Sequence, residues 1–276
     1  MSWKPIGAVL PTRLGQACLE LHWAAQLVSA PGAAWLPPQD DYSQTNLGWD
    51  ERLGVLLGRS VGEERLRAAL VFEALELVVL EGAREVATLE LAGHGVDAAL
   101  AWLGEHMRPD AAPPSLLTHD MPDHSVAHGA AFSEGDEDGR AELTLWFSNA
   151  TGAIHQAVAD EPSASLVRCW PHHFDVASLV VLDAQADAET ARSIGVGFSP
   201  GDASYDQPYF YVNPWPYPLA AALPSLDGAA EWHTEGWTGA VLTGERILDS
   251  GATHQGRLVA EEIKQAMAAC RQALAH

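Results

Sequence analysis

Two short stretches concentrate side chains able to do chemistry: Trp170-Pro-His-His-Phe-Asp175 and Glu231-Trp-His-Thr-Glu-Gly-Trp237. An extended chain alternates its side chains, so His173 and Asp175 are expected on one face, with His172 and Phe174 on the other. The same parity sets Glu231, His233 and Glu235 opposite Trp232 and Thr234. A histidine beside a carboxylate suits one of two tasks: a general base oriented by its acid, or a pair of N and O ligands for a divalent metal ion. His173, Asp175 and His233 are therefore the candidate catalytic residues and the candidate metal ligands. The spacing is permissive and lacks a closed ligand signature such as His-Glu-x-x-His. Histidines hydrogen-bonded within a core would give the same letters.

The segment Pro208–Pro218 adds ring faces and hydrogen-bonding tips. Tyr209, Tyr211 and Asn213 are expected on one face of a strand, opposite Phe210 and Val212, until Asn213-Pro214 stops regular pairing. Phenols and an amide can hydrogen-bond a ligand while the rings cover it, although an edge strand with half-buried tyrosines fits equally well. Trp232 and Trp237 join them as ligand-binding candidates, as do His22 and Gln26, one turn apart on an amino-terminal helix. Ser199-Pro-Gly-Asp202 has the residue order of a type II turn; its Asp202 could reach a ligand, although a turn needs no such role. His119, Asp120, Asp123, His124 and His128 form a second cluster; if Pro122 opens a helical turn, His124 and His128 sit four apart on one face, a spacing that can chelate a metal. With nothing apolar to anchor it, that cluster reads as a solvated loop.

These groups need a scaffold, and the hydrophobic pattern supplies one. Apolar residues at three- and four-residue spacing predict helices over 13–29, 95–107, 140–159 and 254–275, the last with a buried stripe of Val259, Ile263, Met267, Cys270 and Leu274. Proline should end the first helix at Pro31. Leu53–Leu57, Leu66–Phe72, Leu75–Leu80 and Val86–Leu91 read as a strand meander, with a hairpin around Glu81-Gly-Ala-Arg84; Leu66–Leu80 is also compatible with a helix. Residues 165–248 return to short strands broken by Gly and Pro. Strands that do not alternate strictly with helices predict an α+β fold with a mostly antiparallel or mixed sheet flanked by amphipathic helices. The chain reads as a single domain over 1–276, with an irregular connection at 108–139.

Charge and cysteine content narrow the function classes. The net charge of −22 argues against nucleic acid or an anionic membrane as a partner, since both attract basic patches. Three scattered cysteines, Cys18, Cys169 and Cys270, predict reduced thiols and a cytoplasmic setting. Arg13, Glu20 and His22 interrupt any signal-peptide core, and no stretch has the length of a membrane span. Gly-rich phosphate loops, Gly-x-Ser-x-Gly elbows and Cys-x-x-Cys pairs are absent from the sequence, which weakens nucleotide-dependent, serine-hydrolase and zinc-finger readings.

The segments Trp170–Asp175, Ile194-Gly-Val-Gly-Phe-Ser-Pro-Gly-Asp202, Pro208–Pro218 and Trp232–Trp237, together with Leu21-His22 and Gln26, resemble those of an uncharacterised family of bacterial proteins. The resemblance is closest over 165–245 and implies a shared fold and pocket, with no mechanism attached. The expectation is a protein that binds a small polar molecule in a His/Asp/Tyr/Trp pocket. It acts either as a metal-assisted or His-dependent enzyme, or as a non-catalytic binder or structural protein whose histidines form a core network.

Overall fold

The computed structural model describes residues 3–117, 119–183 and 190–275. The chain forms two compact units: an amino-terminal one of Arg13–Thr144 with Arg168–Phe174, and a carboxy-terminal one of the residues up to Thr12, Leu145–Val167 and the chain from Asp175 onward. Helices and antiparallel sheets occur in both, so the α+β class stands.

The amino-terminal unit comprises α1 (Gly15–Trp35), β1 (Gly48–Asp50), β2 (Val55–Leu57), β3 (Leu66–Val71), β4 (Glu76–Glu81), β5 (Arg84–Glu90), α2 (Val96–Met107), the first turns of α3 (Glu137–Ala157) and β6 (Arg168–Trp170). Its sheet is a meander, β1-β2-β3-β4-β5, with every pairing antiparallel. Leu66–Leu80 is two strands rather than a helix, because Leu75 adopts a positive φ of 52° and turns the chain back at Phe72. Glu81 pairs with Arg84 across the expected Gly82-Ala83 turn. Alternate residues Val55, Ala69, Val78 and Leu80 form one buried cluster, while Leu56, Leu70, Leu77 and Val79 are buried as well. Strands apolar on both faces lose the clean alternation that marks a half-exposed strand, hence the helix–strand ambiguity of this region.

α1 runs past its expected end and contains Pro31. Leu27, Val28, Ala30, Pro31 and Gly32 are all buried, so tertiary packing overrides a local helix breaker. The connection after α2 is irregular, with one 3-10 turn at Ser125–His128, but it is anchored. Val126 and Phe132 are buried, and Phe132 bonds through its backbone to Gly93 and His94. The expectation of a segment with nothing apolar to hold it is thereby corrected. α3 starts at Glu137, inside the expected connection.

The carboxy-terminal unit holds the rest of α3, β7 (Asp175–Val181), β8 (Ser193–Ser199), β9 (Tyr209–Trp215), β10 (Glu231–His233), β11 (Gly239–Thr243), α4 (Gly244–Asp249) and α5 (Gln255–Leu274). Its strands lie in the order β10-β11-β9-β8-β7, all antiparallel. α5 packs on β9, β8 and β11 through the predicted stripe, all of it buried. Trp146 and Phe147 of α3 contact Phe198 of β8, which in turn meets Phe210 of β9. β9 continues through Pro214 to Trp215, two residues beyond the expected stop. β11 pairs with β9 only as far as Val212, so Pro214 lies where one side of the strand is an edge. The three cysteines are buried thiols outside any disulfide. Among the described residues no helix is long and apolar enough to cross a membrane.

Candidate functional site

In the carboxy-terminal unit, β8 and β9 build a polar, aromatic face by a simple device. Gly195 and Gly197 of β8 stand opposite Asn213 and Tyr211 of β9. A Cβ added at Gly197 would lie 2.2 Å from Tyr211 Cζ, and one at Gly195 would lie 2.1 Å from Asn213 Oδ1. The glycines thus clear room for the larger side chains to lie across β8. At Gly239 of β11 a Cβ would come 2.5 Å from the Trp237 ring, so a third glycine seats the indole.

On this face the expected parity of Tyr209 and Tyr211 is realised. Their rings lie 6.1 Å apart, and Trp237 contacts both, at 6.4 Å from Tyr209 and 6.2 Å from Tyr211. Each phenol donates to a carboxylate: Tyr209 to Asp202 Oδ2 at 2.6 Å, and Tyr211 to Asp175 Oδ2. Burial first, and then the neighbouring carboxylate, push both phenols above their ordinary pKa. They are protonated donors at any physiological pH.

His233 stacks on Trp237 with centroids 4.4 Å apart, and both its ring nitrogens are engaged. Nε2 lies 2.8 Å from the Glu235 carbonyl, which can only accept, so Nε2 carries the proton. In the neutral ring Nδ1 then accepts from the Tyr205 hydroxyl, 3.1 Å away. Tyr205 also packs on Tyr209 at 4.8 Å. Burial, followed by the fields of Glu231, Asp202 and Glu235, raises the Tyr205 pKa. Asp202 organises the loop before β9, its Oδ1 accepting the backbone N–H of Ser204 at 2.8 Å and of Tyr205 at 3.2 Å. The result is a shelf on which Tyr205, Tyr211, His233 and Trp237 are half-exposed around the buried Tyr209, set among carboxylates.

Trp232 does not join the shelf. It sits on β10 between Glu231 and His233, and its Nε1 donates to the Pro224 carbonyl at 2.7 Å. Sequence reasoning passed over Tyr205 and left Asp202 between a turn residue and a ligand contact. The available signal was the alignment of Gly-x-Gly at 195–197 with Tyr-x-Asn at 211–213, legible once the strands are paired in register.

The remaining candidates belong to the amino-terminal unit. Residues 171–174 form a turn, with the His173 and Phe174 amides both donating to the Trp170 carbonyl, and Phe174 adopts φ 56°. Strand parity therefore does not run through His173, and the expected His173–Asp175 face is not formed. His172 and His173 lie side by side instead, at 4.1 Å, with His119 5.4 Å from His172. His22 and Gln26 of α1 both donate to the Pro171 carbonyl, at 2.9 and 2.6 Å. The His22 ring stacks on Phe174 at 5.3 Å. Burial outweighs these bonds and lowers the His22 pKa to about 4, and burial likewise lowers that of His172 to about 4. Two neutral imidazoles thus serve packing and hydrogen bonding. In the connection, His128 meets Asp123 at 2.7 Å and His124 caps the 3-10 turn.

Among the described residues no group of three or more His, Cys, Asp or Glu side chains could hold a metal ion. Of the proposed ligands, Asp175 accepts from Tyr211 and His233 has both nitrogens bonded. Comparison with protein-family models, with curated proteins and with solved structures yields no match.

Proposed function

We propose that this protein binds a small polar molecule on the shelf of Tyr205, Tyr211, His233 and Trp237, which the buried Tyr209 supports, and that the ligand presents an ammonium or a comparable cluster of N–H donors. The observation that carries this reading is the combination of half-exposed ring faces with the carboxylates of Asp202, Glu231 and Glu235, whose fields are felt at Tyr205. Ring faces and anionic neighbours both attract a cation. Asn213, half-buried beside Gly195, adds an amide to the same face.

Binding fits the geometry better than turnover. His233 has no ring nitrogen in reserve for a general base, and the tyrosines are held protonated. A structural role is the second reading, favoured by the internal bonds Tyr209–Asp202 and Tyr211–Asp175. A cytoplasmic setting suits the three buried thiols.

The test is calorimetric titration of the intact protein with a monoamine, a diamine, a quaternary ammonium and an uncharged polyol. The amines should give a saturable change that Trp237→Ala abolishes and Asp202→Asn weakens about tenfold, as expected for loss of an ionic partner. If none responds, or the response survives in both variants, the structural reading stands in its place.

A further inference from the structure

This acidic chain has 15 Lys and Arg residues, and four of them surround one cavity. Arg59, Arg65, Arg67 and Arg168 line a space of about 580 Å³ in the amino-terminal unit, with Trp49 and Asp50 on its wall. Arg67 comes from β3, Arg65 from the turn that precedes it, Arg59 from the chain after β2 and Arg168 from β6. Arg67 Nε donates to Ser60 Oγ at 2.9 Å, and Arg59 Nη1 reaches Asn46 Oδ1 at 3.4 Å. Each bond fixes one edge of a guanidinium that has five donors in all. Among the described residues, Arg59, Arg65 and Arg67 make no ion pair with a carboxylate. One carboxylate stands on the wall, Asp50, whose Oδ1 accepts the backbone N–H of Arg52 at 2.9 Å and of Leu53 at 3.1 Å, so the lining carries four guanidinium groups against one anionic group.

Positive charges gathered in a partly desolvated wall repel one another unless an anion offsets them. The strain is felt at Arg168, whose pKa is lowered by burial and then by Arg59 and Arg67. We propose that this cavity is an anion-binding site for a small molecule bearing a phosphate or another dianionic oxyanion group, grasped by Arg59, Arg65, Arg67 and Arg168. Guanidinium forks match such oxygens two at a time and need no glycine-rich loop. Four guanidinium groups against the one carboxylate of Asp50 suit a dianion better than a monoanion. The volume is in the range of pockets that hold small organic ligands, and Trp49 offers an apolar surface to the remainder of the molecule. The site shares no residue with the aromatic shelf.

Calorimetric titration of the intact protein at low ionic strength tests this, using inorganic phosphate, glycerol 3-phosphate and phenyl phosphate, with acetate as the monoanion. The phosphates should bind, and more weakly as salt is added, while acetate gives no saturable heat. Arg67→Gln and Arg168→Gln should each weaken binding at least tenfold. Arg65→Gln, at an exposed position with little bearing on folding, should weaken it several-fold. Trp237→Ala should leave it unchanged, which separates this site from the shelf. Tighter binding of the organic phosphates than of inorganic phosphate identifies a phosphorylated metabolite as the occupant, and equal binding identifies the free oxyanion; either supports the site. The assignment is overturned if no phosphate binds, or if Arg65→Gln and Arg168→Gln, with thermal midpoints matching wild type, bind it as tightly as wild type does.

Discussion

Polar side chains buried along α1 and polar side chains laid over β8, β9 and β11 are employed differently. On α1, Glu20, His22, Gln26 and Ser29 each fasten a distant piece of the amino-terminal unit. Glu20 Oε1 takes the backbone N–H and hydroxyl of Ser133, His22 and Gln26 hold Pro171, and Ser29 donates to the Thr45 carbonyl. All four are buried, with no face left for a ligand. On the carboxy-terminal sheet the polar groups bond to one another, but Tyr205, Tyr211, His233 and Trp237 keep half-exposed faces. Histidine and carboxylate content alone therefore does not locate a site; the distinction is whether the groups hold the chain or line its surface.

The largest effect is expected at Glu20. It is 1% exposed, lies 3.9 Å from the similarly buried Arg140 and ties down the segment at Ser133. Arg140 also donates to the Glu73 and Glu134 carbonyls. Glu20→Ala strands a buried cation, and its cost should be about 3–5 kcal/mol in chemical denaturation. A loss below about 1 kcal/mol would show that the connection is not held through α1. For the same reason, shortening Glu134–Gly139 should be destabilising rather than silent.

His22 gives the next largest effect, through pH. Its pKa falls from 6.5 in the unfolded chain to about 4 in the fold, so the unfolded chain binds more protons between those values. Stability contributed by the neutral ring is complete above pH 6.5 and is lost as pH falls toward 4, by about 3 kcal/mol at most. His22→Gln should flatten the slope of unfolding free energy against pH in that window. An unchanged slope would show that His22 titrates freely and does not hold the turn.

The helices and the β3–β4–β5 hairpins were legible because their periodicity and turn residues are local. The α5 stripe, Val259 to Leu274, survives intact. The shelf was half legible: strand parity placed Tyr209 with Tyr211, while Tyr205 and Asp202 join through a loop whose shape no periodicity encodes. The 171–174 turn was not legible, because its carbonyl is held by His22 and Gln26, more than 140 residues earlier in the chain. The arginine cavity was invisible for the same reason, with Arg168 far in sequence from Arg59, Arg65 and Arg67. Net charge of −22 says nothing about where the few cations meet.

Gly197→Ala probes how the shelf is built. With its Cβ 2.2 Å from Tyr211 Cζ, the phenol must leave its place over β8, at a cost of about 1–3 kcal/mol by overpacking. The heat of amine binding should fall with it. A variant as stable as wild type that keeps the response would show that the close approach of Tyr211 is not needed.

The smallest expected stability effect belongs to Trp237→Ala, and its smallness sharpens the contrast. Trp237 is half-exposed, its Nε1 makes one long bond of 3.3 Å to Ser204 Oγ, and its ring caps His233 and Tyr209 from outside. Removing it takes away surface packing and leaves no buried group without a partner, so the loss should be roughly 1 kcal/mol, well below that for Glu20→Ala. The same substitution removes the ring on which an ammonium would rest. Small loss of stability with complete loss of amine response marks a surface built for a ligand, whereas a drop of several kcal/mol with no binding phenotype would place Trp237 beside α1 among the groups that hold the chain.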